Sequence, residues 1–351
     1  MNKIFESANL GQITISNRIA MAPMTRSRAL PDGTPSAITA EYYAQRATVG
    51  LIITEGVQPS ADGQGYLSTP GIFSDEHVTG WKNVMSAIHA KGGHAFMQLM
   101  HAGRMSHPDN TPHHRQPVAP SAIAPNTPIF TMKGMQDIPV PRALSTEEVR
   151  NTISDFRLAA RKAVESGADG VEIHGANAYL IHQFLAPSAN AREDVYGGSV
   201  ENRARFAIEV ASTIADEIGP ERTAIRLSPG LKMWGIDEGD ESVDLYRYLV
   251  SELNKIKLAY LHVMHVGTDS LLQELRNLWD GDFILNRPGR KREEIGKDIE
   301  SGITSFESYG QMILANPDFV ERIKTHSPLN EADHNSFYGG TEKGYTDYPF
   351  L

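Results

Sequence analysis

Cysteine is absent from this sequence of 351 residues. Disulfide bonds, thiolate nucleophiles and thiolate metal sites are therefore excluded. Long apolar runs are absent too, because no stretch approaches the roughly 20 residues that a membrane-spanning helix needs. The first residues show neither an apolar signal core nor the character of a transit peptide. We therefore expect a cytoplasmic protein without a membrane partner.

Positive charge is also scarce. Lysine and arginine contribute 33 residues against 43 aspartates and glutamates, which gives a formal net charge of −10. Nucleic acids and anionic membranes are bound by concentrated positive charge, so we expect neither as a partner. The composition, 40% hydrophobic and 22% charged, is typical of a globular protein. The length fits a single domain over residues 1–351.

Short apolar runs alternate with helical patterns along the chain. Most of the runs are apolar and β-branched, as is typical of parallel strands buried on both faces. The predicted strands are 18–23, 50–56, 94–99, 170–175, 223–229, 260–265, 283–288 and 305–310. The predicted helices lie near 36–47, 76–91, 147–166, 200–218, 242–256, 271–279, 291–301 and 316–325. This alternation predicts the α/β class and a (β/α)8 TIM barrel.

Four further features refine the predicted barrel. A turn near Gly11 predicts a short N-terminal hairpin, and residues 100–145 form a long loop after the third strand, of a length that is usually functional. The third helix begins with a capping box, in which Ser145 is followed by Glu148. The first strand is not followed by a glycine-rich dinucleotide fingerprint, which disfavours an open Rossmann sheet.

The residues at the predicted strand ends restrict the chemistry, because barrel enzymes carry their catalytic groups there. Lysine is missing from these ends, which disfavours a Schiff-base mechanism. Only Glu55 supplies a carboxylate, so the pair that glycoside hydrolysis requires is missing. Amides, hydroxyls, imidazoles and one guanidinium remain. Such a set suits a polar planar cofactor that carries the reaction itself.

The most informative of these ends is the segment from His174 to Tyr179. If the chain turns helically there, His174 and Asn177 share one face and could hold a single carbonyl oxygen. Tyr179 offers a proton nearby. The alternative is a loop whose tyrosine only packs in the core.

Taken together, these segments resemble the Old Yellow Enzyme family of FMN-dependent ene-reductases. The resemblance covers essentially the whole chain, and the ordered set of motifs is specific although each motif alone is weak. The motifs occupy residues 21–28, 54–56, 98–104, 170–185, 196–206, 226–229, 315–318 and 344–349.

The resemblance implies a ping-pong reaction in which NADPH or NADH reduces FMN and hydride then passes to the β-carbon of an α,β-unsaturated carbonyl or similar activated alkene. His174 and Asn177 would bind the substrate oxygen, and Tyr179 would protonate the α-carbon. Tyr66 and Tyr345 would line the substrate cavity. Phenols would bind as unreactive ligands at the same oxygen site. The sequence does not decide between a monomer and a homodimer.

The resemblance also implies a set of cofactor-binding residues. Thr25 would bond the flavin near N5, while Gln98 and Arg226 would bind the pyrimidine edge of the ring. The full set is Ala22, Pro23, Met24, Thr25, Gly56, Gln98, Arg226, Arg287, Gly310 and Gln311.

The predicted phosphate end departs from the family, which commonly has Gly-Gly after the seventh strand and Gly-Arg after the eighth. Here Pro288 lacks a backbone N–H and Gln311 lacks the positive charge. A basic cluster at 287–292 follows the seventh strand, where barrels often bind phosphate. We hypothesise that Arg287, or less favourably Arg290, supplies the missing cation. A solvated basic turn is the alternative.

Two other functions remain open. The altered phosphate end would suit a barrel that binds flavin weakly and acts as a ligand-binding or inactive protein. A metal-dependent hydrolase would have to use histidines of the long loop that lack evident carboxylate partners. These histidines are His101, His107, His113 and His114.

Overall fold

Eight parallel strands close into a barrel in the computed structural model, which describes residues 3–351. In chain order the strands are β1 (Ala8–Leu10), β2 (Ile13–Ile15), β3 (Ile19–Met21), β4 (Leu51–Ile53), β5 (Ala95–Leu99), β6 (Val118–Ala119), β7 (Pro128–Thr131), β8 (Gly134–Asp137), β9 (Arg142–Ala143), β10 (Gly170–Gly175), β11 (Thr223–Leu227), β12 (Tyr260–Met264), β13 (Asp282–Asn286) and β14 (Phe306–Tyr309). The barrel consists of β3, β4, β5 and β10 to β14, and β14 pairs with β3 to close it. The prediction of a (β/α)8 barrel is confirmed.

Helices lie between the barrel strands. They are α1 (Ala37–Gln45), α2 (Asp75–His89), α3 (Thr146–Glu165), α4 (Leu180–Leu185), α5 (Val200–Ile218), α6 (Ser242–Ile256), α7 (Asp269–Leu278), α8 (Lys297–Glu300), α9 (Gln311–Ala315) and α10 (Phe319–Lys324). None of the helices within residues 3–351 is long and apolar enough to cross a membrane.

Two predicted helices differ from the observed ones. The segment predicted near 291–301 is divided into a 3-10 turn and the short helix α8, because Gly296 adopts a left-handed conformation with φ +85°. The helix predicted from residue 316 begins only at Phe319. Asn316 precedes Pro317 and is extended, as residues before proline usually are.

The N-terminal hairpin closes the lower end of the barrel. β1 and β2 pair antiparallel around Gly11, which has φ +54°. A side chain at Gly11 would meet the carbonyl oxygen of Glu221 at 2.1 Å, so only glycine fits the turn. Leu10 and Ile15 are buried in one cluster with barrel residues such as Phe306. Every barrel strand therefore directs its C-terminal end away from this floor, towards the opposite rim.

The helix α3 begins with a capping box formed by Ser145 and Glu148. Ser145 Oγ accepts a hydrogen bond from the Glu148 backbone N–H at 3.2 Å, and Ser145 N–H donates to the Glu148 carboxylate at 2.8 Å. The predicted capping box is thus confirmed, and it satisfies backbone donors that α3 leaves unpaired.

We predict that Ser145→Ala lowers the free energy of unfolding by about 1 kcal/mol, because the first turn of α3 loses its cap. Ser154→Ala is the matched control, since Ser154 is exposed in the same helix and bonds only the preceding turn. Chemical denaturation measures both variants. Equal losses in the two variants would contradict the prediction.

Candidate active site

A cavity of about 270 Å³ opens at the C-terminal ends of the barrel strands. Loops after β3, β4, β5, β10 and β14 contribute to its walls. The predicted site residues that line it are Pro23, Met24, Thr25, Gly56, Gln98, His174, Asn177, Tyr179 and Gln311. The fold therefore brings most of the predicted site to one place.

Of the predicted residues Ala22, Gly310 and Gly56, only Gly56 lines this cavity, and the other two lie next to lining residues. Ala22 N–H donates to the carbonyl of Tyr309 at 3.0 Å, which joins the ends of the first and last barrel strands. The space beside Gly310 is bounded by the Met24 sulfur, 3.3 Å from where a Cβ would lie. At Gly56 a Cβ would lie 2.5 Å from the Met100 sulfur, so the neighbouring methionine requires the glycine.

His174 and Asn177 reach the cavity without the predicted helical turn. The backbone is left-handed at Asn177 (φ +58°) and Ala178 (φ +64°), so the condition of a helical turn is not met. The turn is fixed by its neighbours, because Asn177 N–H donates to Ser228 Oγ at 3.0 Å and Ala178 N–H donates to His182 Nδ1 at 3.1 Å. Two consecutive left-handed residues are unfavourable, and these contacts hold them in place.

Three buried polar atoms in this region have no protein partner. They are His174 Nδ1, Asn177 Oδ1 and Arg226 Nε. Burial, together with the charge of Arg226, lowers the pKa of His174 well below its ordinary value, so its ring is neutral at pH 7. Unpartnered buried polar groups are costly in a folded protein. His174 and Asn177 line the cavity, which indicates a site for a polar ligand there.

Tyr179 and Tyr66 form a pair of phenols. Their hydroxyl oxygens are 3.0 Å apart, and the ring of Tyr179 lies 5.0 Å from that of His174 between centroids. Burial, and then the neighbouring Tyr66, raise the pKa of Tyr179 well above its ordinary value. Tyr179 therefore keeps its proton at neutral pH, next to the imidazole.

A buried carboxylate, missed in the sequence, supports Gln98 from inside the barrel. Glu172 on β10 accepts from Gln98 Nε2 at 2.9 Å and from His262 Nδ1 at 2.8 Å. His262 Nε2 lies 2.8 Å from Ser308 Oγ. Burial opposes the charged form of Glu172, but His262 and Arg226 hold its pKa below the ordinary value. Glu172 could have been found from sequence, because a carboxylate in the middle of an apolar strand is unusual.

Arg226 lies next to this network on β11. Its Nη2 donates to Asn286 Oδ1 at 3.2 Å, and Asn286 Nδ2 donates to the carbonyl of Ser308 at 3.0 Å. The side chain is buried at the barrel rim. It is therefore positioned by the protein, while its Nε has no protein partner.

The structure corrects the prediction for Tyr345, which does not line the cavity. Its ring is fully buried and stacks on Tyr42 with the centroids 4.0 Å apart, and the Arg28 guanidinium lies 4.4 Å from its centre. Phe337 and Tyr338, from the same C-terminal segment, line the cavity instead. Neither residue follows a strand, so the strand-end rule could not find them.

Arg287 forms an ion pair. It donates to both oxygens of Asp298, at 2.9 and 3.1 Å, and its Nη1 lies 3.0 Å from His265 Nδ1. Arg290 also contacts Asp298, and in addition Glu307. The role of Arg287 towards a phosphate stays a prediction.

Three of the four histidines bond within the long loop, whereas His113 lies against Ala61 and, at 3.5 Å, Asp62 of the loop after β4. His101 Nδ1 accepts from Gly103 N–H at 3.0 Å, and His107 Nδ1 accepts from Asp109 N–H at 3.1 Å. His113 and His114 lie within hydrogen-bond distance of backbone carbonyls. Within residues 3–351, no group of three or more acidic or histidine side chains is arranged to hold a metal ion.

Glu55 binds the backbone of the loop that carries Thr25. Its carboxylate accepts from the backbone N–H groups of Arg26 at 3.0 Å and Ser27 at 3.4 Å. Burial raises the pKa of Glu55 to about 7. Because this pKa is raised above its unfolded value, the folded state holds the proton more tightly. Stability is therefore lost as pH rises from the unfolded pKa of 4.5 towards 7.

We predict that Glu55→Gln removes this pH dependence. Glutamine can still accept from the two N–H groups, so the free energy of unfolding of the variant should rise relative to the native protein between pH 5 and 8, by at most about 3 kcal/mol. Denaturation at several pH values measures it. Glu41→Gln, on the exposed face of α1, is the control. Parallel pH profiles for Glu55→Gln and the native protein would count against the assignment.

Comparison with known proteins agrees with this geometry. Residues 3–330 match the NADH:flavin oxidoreductase / NADH oxidase family. The chain is 39% identical over 356 residues to 12-oxophytodienoate reductase 2 of Arabidopsis thaliana, with 97% of this chain and 94% of that protein covered. The structure of morphinone reductase in complex with tetrahydroNAD superposes with a TM-score of 0.95 at 41% identity, over 99% of this chain and 97% of that one.

The structure of the Old Yellow Enzyme homologue from Zymomonas mobilis gives the same TM-score of 0.95 at 38% identity, over 99% of this chain and 100% of that one. Family match, sequence identity and barrel geometry thus agree over nearly the whole chain. The chain belongs to the NADH:flavin oxidoreductase / NADH oxidase family and is a member of the Old Yellow Enzymes.

Proposed function

We propose that this protein is an FMN-dependent ene-reductase that uses NADPH or NADH to reduce activated alkenes such as α,β-unsaturated carbonyls. One observation carries the proposal. The unpartnered His174 Nδ1 and the Asn177 amide share a cavity with the protonated phenol of Tyr179. The relatives named above as reductases share the fold over nearly their whole length.

The cavity fits the ring of FMN by its donor set. Thr25 and Gln98 line it, and the unpartnered Arg226 Nε lies at the rim. When bound, FMN supplies the hydride chemistry that the protein side chains lack. A guanidinium at the ring edge favours negative charge there. Because Gln98 donates its Nε2 group to Glu172, its amide oxygen is left to accept a ring N–H.

His174 and Asn177 would hold the substrate carbonyl oxygen. The neutral imidazole can donate one hydrogen bond to this oxygen. Asn177 can donate a second only through Nδ2, which here lies 3.7 Å from the Met264 sulfur, because its unpartnered Oδ1 only accepts. These bonds strengthen as negative charge develops on the oxygen, so they lower the barrier to attack at the β-carbon. The low pKa of His174 and the lack of titration at Asn177 keep this pair unchanged across neutral pH.

Tyr179 would protonate the α-carbon of the substrate. Its raised pKa means that the hydroxyl carries a proton when the substrate binds. Tyr66, whose hydroxyl lies 3.0 Å away, would orient that hydroxyl. That Tyr66 also lines the substrate cavity stays a prediction.

Several predictions from sequence concern properties other than the reaction. Nothing in the comparisons supports the alternative of an inactive, ligand-binding barrel. The cytoplasmic location, the single domain, the phenol ligands and the choice between monomer and homodimer stay predictions.

The visible spectrum of the purified protein tests the proposal. Under anaerobic conditions we expect a flavin band that bleaches with NADPH and returns with cyclohexenone. A band that bleaches and does not return would keep the flavoprotein and reject this substrate class. A protein that binds no flavin, even after FMN is added, would contradict the proposal itself.

We predict that Tyr179→Phe slows reoxidation by the alkene by about 100-fold or more, because the proton donor is lost. Reduction by the nicotinamide should stay within a few-fold of the native rate, since that half-reaction needs no proton from Tyr179. Rapid-mixing kinetics separates the two half-reactions. Tyr66→Phe is the matched phenol control and should affect reoxidation much less. Equal losses in both half-reactions would refute the role of Tyr179.

A further inference from the structure

The two ends of the barrel rim differ in how their guanidinium groups are placed. His174 and Asn177 at the cavity, and Arg226 on β11, keep buried polar atoms without a protein partner, as do Arg290 Nη1 and His265 Nε2 at the other end. In the loop after β13, the arginines on either side of Pro288 are engaged by carboxylates of the chain itself. Loops after the seventh and eighth barrel strands, here β13 and β14, are where barrels often bind phosphate.

Arg287 is bound in a planar, two-pronged pair. Its Nε and Nη2 meet the two oxygens of Asp298 at 2.9 and 3.1 Å, the geometry that a guanidinium would otherwise offer to a phosphate. A further acidic side chain, Asp269, lies 3.6 Å from Nη1. A phosphate would have to displace Asp298 or share the guanidinium with it.

Arg290 is similarly engaged. Its side chain is only 5% exposed and contacts both Asp298 and Glu307. Glu307 is fully buried and is held by the backbone N–H groups of Gly296 and Asp298, each at 2.9 Å. Two guanidinium charges thus face two carboxylates whose positions are fixed by the fold. A phosphate dianion there would meet little net positive charge.

The neighbouring groups do not replace these arginines as donors to a phosphate. Pro288 has no N–H to offer. Gln311, which lines the cavity at the end of β14, is neutral. The helix that it begins, α9, has only five residues, so its dipole is small.

We infer that this chain selects its cofactor through the flavin ring and gains little from the phosphate, so that riboflavin, which lacks the phosphate, binds nearly as well as FMN. The inference rests on the proposed flavin chemistry. Asp298 would occupy the guanidinium groups of Arg287 and Arg290, so that they would not bind an incoming phosphate. The protein would then be active with either form of the cofactor.

Competition between the two flavins tests this. The full-length protein is equilibrated with an equimolar excess of FMN and riboflavin, and the bound flavins are released and quantified by chromatography. We expect a ratio of bound FMN to riboflavin below about 10, a difference of less than 1.4 kcal/mol. A ratio above that value would overturn the inference and leave the ene-reductase proposal intact. Binding of neither flavin would overturn both.

Two variants test whether the lack of a free cation limits phosphate binding. Asp298→Asn should release the arginines and raise the ratio by roughly tenfold or more, through FMN alone, because a charge-assisted bond to the phosphate becomes possible. Gln311→Arg should raise it in the same way by adding a cation. Glu293→Gln removes an exposed carboxylate from the same loop, and so makes the same change in net charge away from Arg287.

Salt distinguishes a phosphate contact from a change in folding. The raised ratio in Asp298→Asn should fall as ionic strength increases, whereas riboflavin binding should not change. A raised ratio in Glu293→Gln equal to that in Asp298→Asn would overturn the specific role of Asp298. An unchanged ratio in both Asp298→Asn and Gln311→Arg would overturn the idea that a missing free cation limits phosphate binding.

Discussion

The Glu172 carboxylate links the inner faces of four barrel strands. It accepts from Gln98 on β5 and from His262 on β12, and His262 in turn bonds Ser308 on β14. Removing one partner would leave buried polar groups unpaired, which is more costly than losing an exposed ion pair. The same bonds decide which atoms of Gln98 face the cavity. The stability of the barrel interior and the polarity of the site therefore depend on one buried charge.

A second wall of the site depends on arginines that hold the C-terminal segment by its carbonyl groups. Arg26 donates to Gly344 O at 2.8 Å, and Arg46 donates to Tyr345 O at 3.2 Å. With Tyr345 stacked on Tyr42, the segment is anchored on both sides. This anchoring explains why Phe337 and Tyr338 reach the cavity although they are far in sequence from the last barrel strand.

The barrel was predictable from sequence because buried parallel strands read as apolar runs, and each run overlaps one observed strand. The polar residues at the ends of those runs could be assigned to one rim for the same reason. Contacts between distant segments were not predictable. The stacking of Tyr345 depends on α1, and the left-handed turn at Asn177 depends on Ser228 and His182. Local spacing contains no information about these partners. The short helices α4 and α9 are below the length at which periodicity is visible.

The two ends of the rim show that folding and binding compete for the same polar groups. An arginine paired with Asp298 stabilises the folded chain, but the pair must be broken or shared before it serves a ligand. An atom such as Arg226 Nε has the opposite property, because it lowers the stability of the free protein and is satisfied only when a ligand arrives. The chain leaves Arg226 Nε without a carboxylate at the ring end, whereas carboxylates face both guanidinium groups at the other end, where Arg290 Nη1 still lacks a hydrogen bond. The free energy of flavin binding should therefore come mainly from the end of the site that folding leaves unsatisfied.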